Sequence, residues 1–443
     1  MSLLARGRTF AGVLAALLLA AGIGWGAPGR PALALVMAFA VLVLGVSALQ
    51  TATIPLLTLP LLFVAQRAAF GGTDLSISDL ALGIGTLAAA VFARRPFAPE
   101  LRNLLWLVVI YQVATLFTVV ANPYAANVVE WVHAGVLVAG GLLVGWVVGR
   151  EGYAALGIKL MVLAALVLAT WVIFAGVVQV LTGNFEPVYL PFRMHKNFLG
   201  TVMAIMALTL YVRPEWTRMR PGPALLAFSW LVIGIGFTQS RQAIVALGIA
   251  LVVLVLRTRS DRRRSQLIIL GVVPALAIVL TLVRDQAASD NQHNSYFSRL
   301  DWYQQSIDIW QSHPVLGVGL RWWYTDRFEG GIQPPNAELE MLTSAGLVGL
   351  VGFMVLMVGA LRILWRMPPA YGMLAFLVVL SRLIQGQLDV FWVAAQTSIP
   401  FVIVGICLGV RGRDVDGTHP QDELSATLPD AVPRAGLSGA GSR

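Results

Sequence analysis

The sequence predicts an all-α integral membrane protein, a polytopic bundle of about 12–14 transmembrane helices with a large extracytoplasmic loop. Three observations predict it. Of 443 residues 58% are hydrophobic and 12% charged, against about 25% charged in soluble domains. The apolar residues fall in blocks long enough to cross a hydrocarbon core about 30 Å thick, and the mean hydropathy is +0.77. Basic residues recur at every second connection, as the positive-inside rule requires.

The elements follow in order. The opening MSLLARGR and the apolar FAGVLAALLLAAG resemble a signal peptide. Because the following chain is itself apolar, they read as an uncleaved first helix over 9–26. Further apolar runs give spans at 31–49, 52–66, 75–93, 103–121, 131–149, 153–181, 198–212, 223–239, 242–257, 266–283, 340–361, 370–385 and 390–410. Pro55 and Pro60 interrupt the third span and Asp79 lies inside the fourth. The whole of 1–411 reads as one transmembrane unit. Residues 412–443, rich in Gly, Ser, Asp and Pro, lack the apolar content to fold and read as a disordered cytoplasmic tail.

With the N-terminus inside, the even-numbered connections are cytoplasmic. They read ARRPFAPELR (93–102), GRE (149–151), VRPEWTRMRPG (212–222), RTRSDRRRS (257–265), RILWRMPP (362–369) and RGRD (411–414), and the tight turn near Gln50 alone is uncharged. This parity places both termini inside. The formal charge of +9 is then a topology signal and not a nucleic-acid surface. A single cysteine, Cys407, precludes an intrachain disulfide, and no Cys/His cluster suggests a metal site. No cofactor is implied.

Basic residues on the outer side break the rule and are therefore informative. Arg193, Lys196, Arg241, Arg284, Arg299, Arg321 and Arg327 fall outside or at the outer boundary, and Arg382 lies near the outer end of a hydrophobic run. A charge at membrane depth costs about 2.5–3.5 kcal/mol on insertion scales, so such residues face polar cavities. Guanidinium groups present rigid paired donors that suit diphosphate. Arg284 and Arg327 could equally meet lipid phosphate or water. Arg241 opens a helix, where a cation opposes the dipole and a bound anion would compensate.

The loop 284–339 is the longest polar stretch. Within it, 299–312 reads as an amphipathic helix along the outer interface. Leu300, Tyr303, Ile307 and Trp310 lie on one face, and Asp301, Gln305, Asp308 and Ser312 on the other. His313-Pro314, the turn at 317–319 and the run Arg321-Trp322-Trp323-Tyr324 follow. The aromatic residues read either as an interfacial belt or as a sugar-stacking platform. Asn336 is an N-cap candidate. Glu338 and Glu340 lie in the first turn beyond it, where carboxylates favour the helix dipole or could act as a general base.

These stretches resemble the O-antigen ligase and polymerase superfamily. DLSISDLAL (74–82) looks like its early Asp-containing helix, HKNFLG (195–200) like a helix start with Asn197, and FTQSRQA (237–243) like its Ser-Arg helix start. RLDWYQQSIDIWQSHPVLGVGL (299–320) is the closest match, and PNAELEMLTSAGLVGL (335–350) resembles the motif that begins His-Asn.

The resemblance implies a membrane glycosyltransferase that works without a metal. It would take a glycan from a polyprenyl diphosphate and pass it to a saccharide or glycolipid acceptor in the bacterial inner membrane. It implies that Arg241 binds the diphosphate and that Arg193 and Lys196 lie in the region that carries basic donor-binding residues; the outward charge of Arg321 and Arg382 makes them further diphosphate candidates, and Asn336, Trp322 and Trp323 are candidates to contact glycan or shape its site. Where ligases of the family carry histidine, this chain has Pro335. Proton removal then falls to Glu338, Glu340 or His313, or is undemanding because the carrier diphosphate leaves readily. Three alternatives stand beside ligation. A polymerase of the same fold would build a ladder of repeats. A flippase for polyprenyl-linked sugar would move carrier without product, although no internal repeat supports it. A binding protein would transfer nothing. Expected partners are the lipid-linked glycan, the acceptor and membrane lipids, and no nucleic acid.

Overall fold

A computed structural model describes residues 31–70, 73–184, 186–192, 194–257, 281, 295–325, 327–328 and 331–417. The expected spans at 9–26 and 266–283, together with Arg193, Arg284 and the tail beyond 417, lie outside the described residues.

The architecture is all-α and polytopic. Its helices are α1 (Pro31–Leu49), α2 (Thr53–Leu61), α3 (Ile77–Phe92), α4 (Pro99–Ala121), α5 (Ala125–Arg150), α6 (Ala154–Leu181) and α7 (Lys196–Val212). They continue as α8 (Pro221–Thr238), α9 (Arg241–Arg257), α10 (Ser295–Ser312), α11 (Ala337–Arg366), α12 (Pro369–Gly386) and α13 (Ala394–Val415). Seven of these, α4, α5, α6, α8, α11, α12 and α13, are long and apolar enough to cross a membrane. The helices α3 and α7 are shorter apolar helices of 16 and 17 residues.

The expected span at 52–66 is not a single crossing helix. The chain turns by 119° between α1 and α2, α2 ends at Leu61, and the next residues form a hairpin, β1 (Arg67–Phe70) with β2 (Thr73–Ser76). Pro60, inside the last turn, removes a helix hydrogen bond and accords with the early end of α2. The tail boundary also shifts, because α13 runs to Val415.

Outward faces of α4, α6 and α11 carry apolar residues that a soluble protein would bury, among them Trp106, Phe117, Val167, Phe174 and Val351. Lipid is the solvent that accepts them. Inside, α13 is buried almost from end to end and lies against α5. Glycines allow that approach: an added Cβ on Gly145 would lie 2.0 Å from the Val402 carbonyl oxygen, and one on Gly405 would lie 2.3 Å from that of Leu142. Small residues at such a seam let dispersion act between two backbones.

The expected basic connections gather at one end of the bundle. Arg94 pairs with Glu151 at 2.9 Å and Arg411 with Glu100 at 2.5 Å. Arg150 pairs with Asp416, Tyr371 donates to Asp414 at 2.8 Å, and Arg257 donates to the Trp365 carbonyl at 2.5 Å. Each exposed pair contributes little energy; together they show that these connections share a side.

The opposite end carries the loop. Its helix α10 packs on α11. Ser306 and Ile309 are buried, Tyr303, Ile307 and Trp310 are partly buried, and Leu300 is 46% exposed. Ile309 is buried with Val318 and Trp322 of the loop. The loop then enters a break in α11. Gly346 has φ +63° and ψ −163°, a conformation that side chains disfavour. Because the helix opens there, Val318 N donates to Thr343 O at 3.0 Å and Gly319 N to Ser344 O at 2.9 Å. In return Leu347 N donates to Pro314 O at 3.0 Å. The Gly-x-Gly turn is therefore pinned to the helix by backbone hydrogen bonds.

Candidate functional site

The site is built around the segment that joins α12 to α13, residues 387–393. Three helices bring polar groups to it. Both α7 and α9 begin at this end, so their first N–H groups and dipoles favour negative charge. Each nevertheless starts with a cation, Lys196 and Arg241. Arg299 arrives from α10 and donates to the Leu388 carbonyl at 2.5 Å. The charges of Arg241, Arg299 and Asp389 all act on Lys196. Asp389 accepts from Asn197 Nδ2 at 2.8 Å and from Gln242 Nε2 at 2.9 Å. Ser240 Oγ reaches Asn197 Oδ1 at 3.4 Å. His195 caps α7, its Nδ1 accepting from Asn197 N at 3.2 Å. Burial holds His195 below the usual histidine value, so the ring is neutral at pH 7 and that nitrogen can accept. These are cations held by side chains from three helices over two helix N-termini, a design suited to phosphate oxygens.

A second group of charges lies beside the first. Ser76 and Asp79 form a capping box at the start of α3: Ser76 N donates to Asp79 Oδ2 at 2.9 Å, and Asp79 N donates to Ser76 Oγ at 3.2 Å. The other Asp79 oxygen lies 3.0 Å from His133 Nε2, and His133 Nδ1 lies 3.2 Å from Glu130 Oε2. Glu130 in turn pairs with Arg321. Just past His133, α5 widens into a π-turn over Val136–Gly140, a feature common near functional positions.

The same stretch of chain holds the loop down. Asn127 Oδ1 accepts from Leu320 N at 2.8 Å, and Tyr124 OH donates to Leu320 O at 2.7 Å. Arg327 donates to Asn122 Oδ1 at 3.2 Å and to Val318 O at 3.0 Å. Burial pushes the Tyr124 phenol up, so it remains a donor. Glu130→Gln would leave Arg321 and His133 without their shared carboxylate. Removing one partner of a buried pair costs about 3–5 kcal/mol. We expect faster hydrogen–deuterium exchange over 317–325 with α12 unaffected; unchanged exchange there would show that Glu130 does not hold the loop.

Between these groups lies a narrow hollow, partly open to solvent and with room for about one water molecule, lined by Tyr111, Glu130, Arg321, Trp323, Glu340 and Trp392 among others. Glu340 is 2% exposed; it accepts from Gln333 Nε2 at 2.9 Å and from Phe391 N at 3.4 Å. Electrostatically it is coupled to Glu130 and Arg382, and Arg382 is coupled to Asp389. Glu340 of the cleft and Arg299 of the cationic cluster thus both bind backbone atoms of the 387–391 segment.

The structure sorts the residues expected from sequence. It brings Lys196 and Arg241 together and adds Arg299. Glu340, Arg321 and Trp323 meet in the cleft. Glu338 is half-buried and accepts from Gln387 Nε2 at 2.7 Å. Asn336 caps α11, its Oδ1 accepting from Glu338 N and Leu339 N at 3.0 Å, and its Nδ2 donates to Gln387 O at 3.3 Å. Three expectations need correction. Arg382 is 1% exposed; its guanidinium donates to the Val390 and Phe391 carbonyls and to Gln396. It therefore holds the 390–391 backbone. Trp322 is 1% exposed, packed with Ile309 and Val318, so it is neither a surface belt nor a stacking platform. His313 is exposed beyond α10, its Nδ1 2.9 Å from Ser312 Oγ, and does not line the cleft.

Sequence reasoning passed over Glu130, His133 and Asp389. The available signal was charge inside apolar surroundings: Glu130 and His133 sit three residues apart in AANVVEWVHAGVLV, and Asp389 interrupts GQLDVF.

Fold and site together define a multi-pass helical membrane protein with a cationic, carboxylate-flanked site at one end. Residues 224–354, from α8 through the loop into α11, match the model of the O-antigen ligase family, in agreement with the resemblance read from the sequence. No curated protein matches the chain. The family match carries glycan transfer of the ligase or polymerase type in general, with a lipid-linked glycan and an acceptor as partners in general, in a bacterial membrane.

Proposed function

We propose that this protein is a ligase-type glycosyltransferase that moves a glycan from a polyprenyl diphosphate to a saccharide or glycolipid acceptor on the outer face of the inner membrane. Both termini are then cytoplasmic. The observation that carries this reading is the convergence of Lys196, Arg241 and Arg299 at the end opposite the basic connections. An acceptor oxygen attacks the anomeric carbon as the bond from that carbon to the phosphate oxygen breaks. The diphosphate takes the electron pair. Preorganised cations stabilise that developing charge without reorganising, which is the larger catalytic term in many enzymes. Arg193 belongs to this group in the proposal.

The hydroxyl proton goes to Glu340, one of two carboxylates that line the cleft. Glu338 binds Gln387 and supports the same segment. Among the described residues no group of three His, Cys, Asp or Glu could hold a metal ion, and the proposal uses none. Transfer is measured in reconstituted vesicles with lipid-linked glycan and acceptor, with and without a chelator. Glu340→Gln is expected to lower kcat about 100-fold, the lower end for general-base loss, Glu338→Gln much less, and chelation nothing. A Glu340→Gln protein with wild-type kcat would remove Glu340 from the mechanism.

A further inference from the structure

We infer that His133 and Asp79 are positioning residues for the transfer reaction: they hold the Glu130 carboxylate, and through it Arg321, so that the loop stays seated on the bundle. The inference rests on the transfer reading above only for its effect on rate, since the geometry stands without it. It begins with a spacing on one helix. Tyr124, Asn127, Glu130 and His133 follow at three-residue intervals at the start of α5, and residues three apart are neighbours on a helix surface. The first two bind Leu320 through its carbonyl and its N–H, and the third binds Arg321. The fourth, His133, meets two carboxylates, Glu130 on its own helix and Asp79 on α3.

Chemistry fixes the state of that ring. An ionised carboxylate only accepts hydrogen bonds, so both His133 nitrogens, 3.2 Å from Glu130 and 3.0 Å from Asp79, must donate. An imidazole that donates from both nitrogens is a cation. Signs then alternate along the chain: Asp79 negative, His133 positive, Glu130 negative, Arg321 positive. The side chains of the first three are no more than 8% exposed, and buried charges persist when they are paired. Glu130 is the shared member, because its Oε2 meets both His133 Nδ1 and Arg321 Nε. A ring without its second proton would turn a lone pair on one of its two carboxylates. Asp79 opposes that loss from α3, where its other oxygen is fixed by the capping box with Ser76. The charge of Glu130 also acts on Tyr111 and Glu340, which line the hollow. The relay therefore sets both the seat of the loop and the field beneath it.

The test uses the full chain in lipid nanodiscs, with isotope-labelled histidine read by nitrogen NMR. The signal missing from His133→Gln assigns the ring. We expect His133 to be an imidazolium at neutral pH in wild type. We expect hydrogen–deuterium exchange over 317–325 to be about tenfold faster in both Asp79→Asn and His133→Gln, a size usual for coupling between linked sites. Transfer should slow by about the same factor in both variants. Ser76→Ala is the control: it breaks the α3 cap but spares the contact between Asp79 and His133, and should change neither loop exchange nor transfer. A neutral His133 ring in wild type, or wild-type exchange over 317–325 in both relay variants, overturns the inference. Exchange raised as much by Ser76→Ala reduces Asp79 to a helix cap and overturns it as well. Faster loop exchange with transfer at the wild-type rate removes the positioning role. Exchange and NMR need no glycan, so a wild type that transfers nothing while Asp79→Asn still frees the loop sinks the transfer reading and leaves the relay in place.

Discussion

Arg241→Ala is expected to leave a folded protein whose glycan transfer is at least about 100-fold slower, the usual cost of removing one preorganised donor from a developing negative charge. Arg241 is the first residue of α9 and stands beside Lys196 and Arg299. A cation there is unfavourable to the helix dipole, and thermal stability of the same variant shows whether the fold is kept. That separates the functional loss from a folding loss. Arg241→Lys keeps the charge but loses the paired donors, and should recover part of the rate. The measurement is initial rate in reconstituted vesicles alongside thermal stability in detergent. Transfer at the wild-type rate in Arg241→Ala would end the diphosphate assignment.

Gly145→Leu and Gly405→Leu should each prevent the bundle from assembling. At these positions the backbones of α5 and α13 touch, with a bare Cβ already 2.0 and 2.3 Å from a facing carbonyl oxygen. Overpacking by a few atoms in an ordinary core costs about 1–3 kcal/mol. Here the obstacle is backbone, which cannot rotate aside, and α13 is the central helix. Detergent extracts of both variants should lack the monodisperse peak in size-exclusion chromatography. Gly236→Leu is the control, since nothing lies within 4 Å of its Cβ position. A Gly145→Leu protein eluting as wild type would mean that the α5–α13 seam is looser than described.

Individual residues show how far the sequence could be read. Asn336 was legible as a cap because capping is local: its partners are two and three residues away. Asp79 was legible as an anomaly inside an apolar run, but not as a partner of His133, which is 54 residues further on. Helical spacing on 299–312 put Leu300 on the apolar face, whereas Leu300 is 46% exposed and Ile309 is buried with Val318 and Trp322 of the loop. Arg382 looked available because a charge in a membrane run signals function; its guanidinium instead holds the turn that carries Asp389.

The sequence by itself determined the solvent of this protein, the helices long enough to face that solvent, and the sharing of one end by the basic connections. Hydropathy and charge act residue by residue on lipid and water, so their pattern is written along the chain. Only the tertiary structure decided that Lys196, Arg241 and Arg299 converge, that Glu130 reaches Arg321, and that His133 bridges Asp79 and Glu130. Those outcomes depend on which helix faces meet. Close packing of distant segments sets that, and no local spacing contains it.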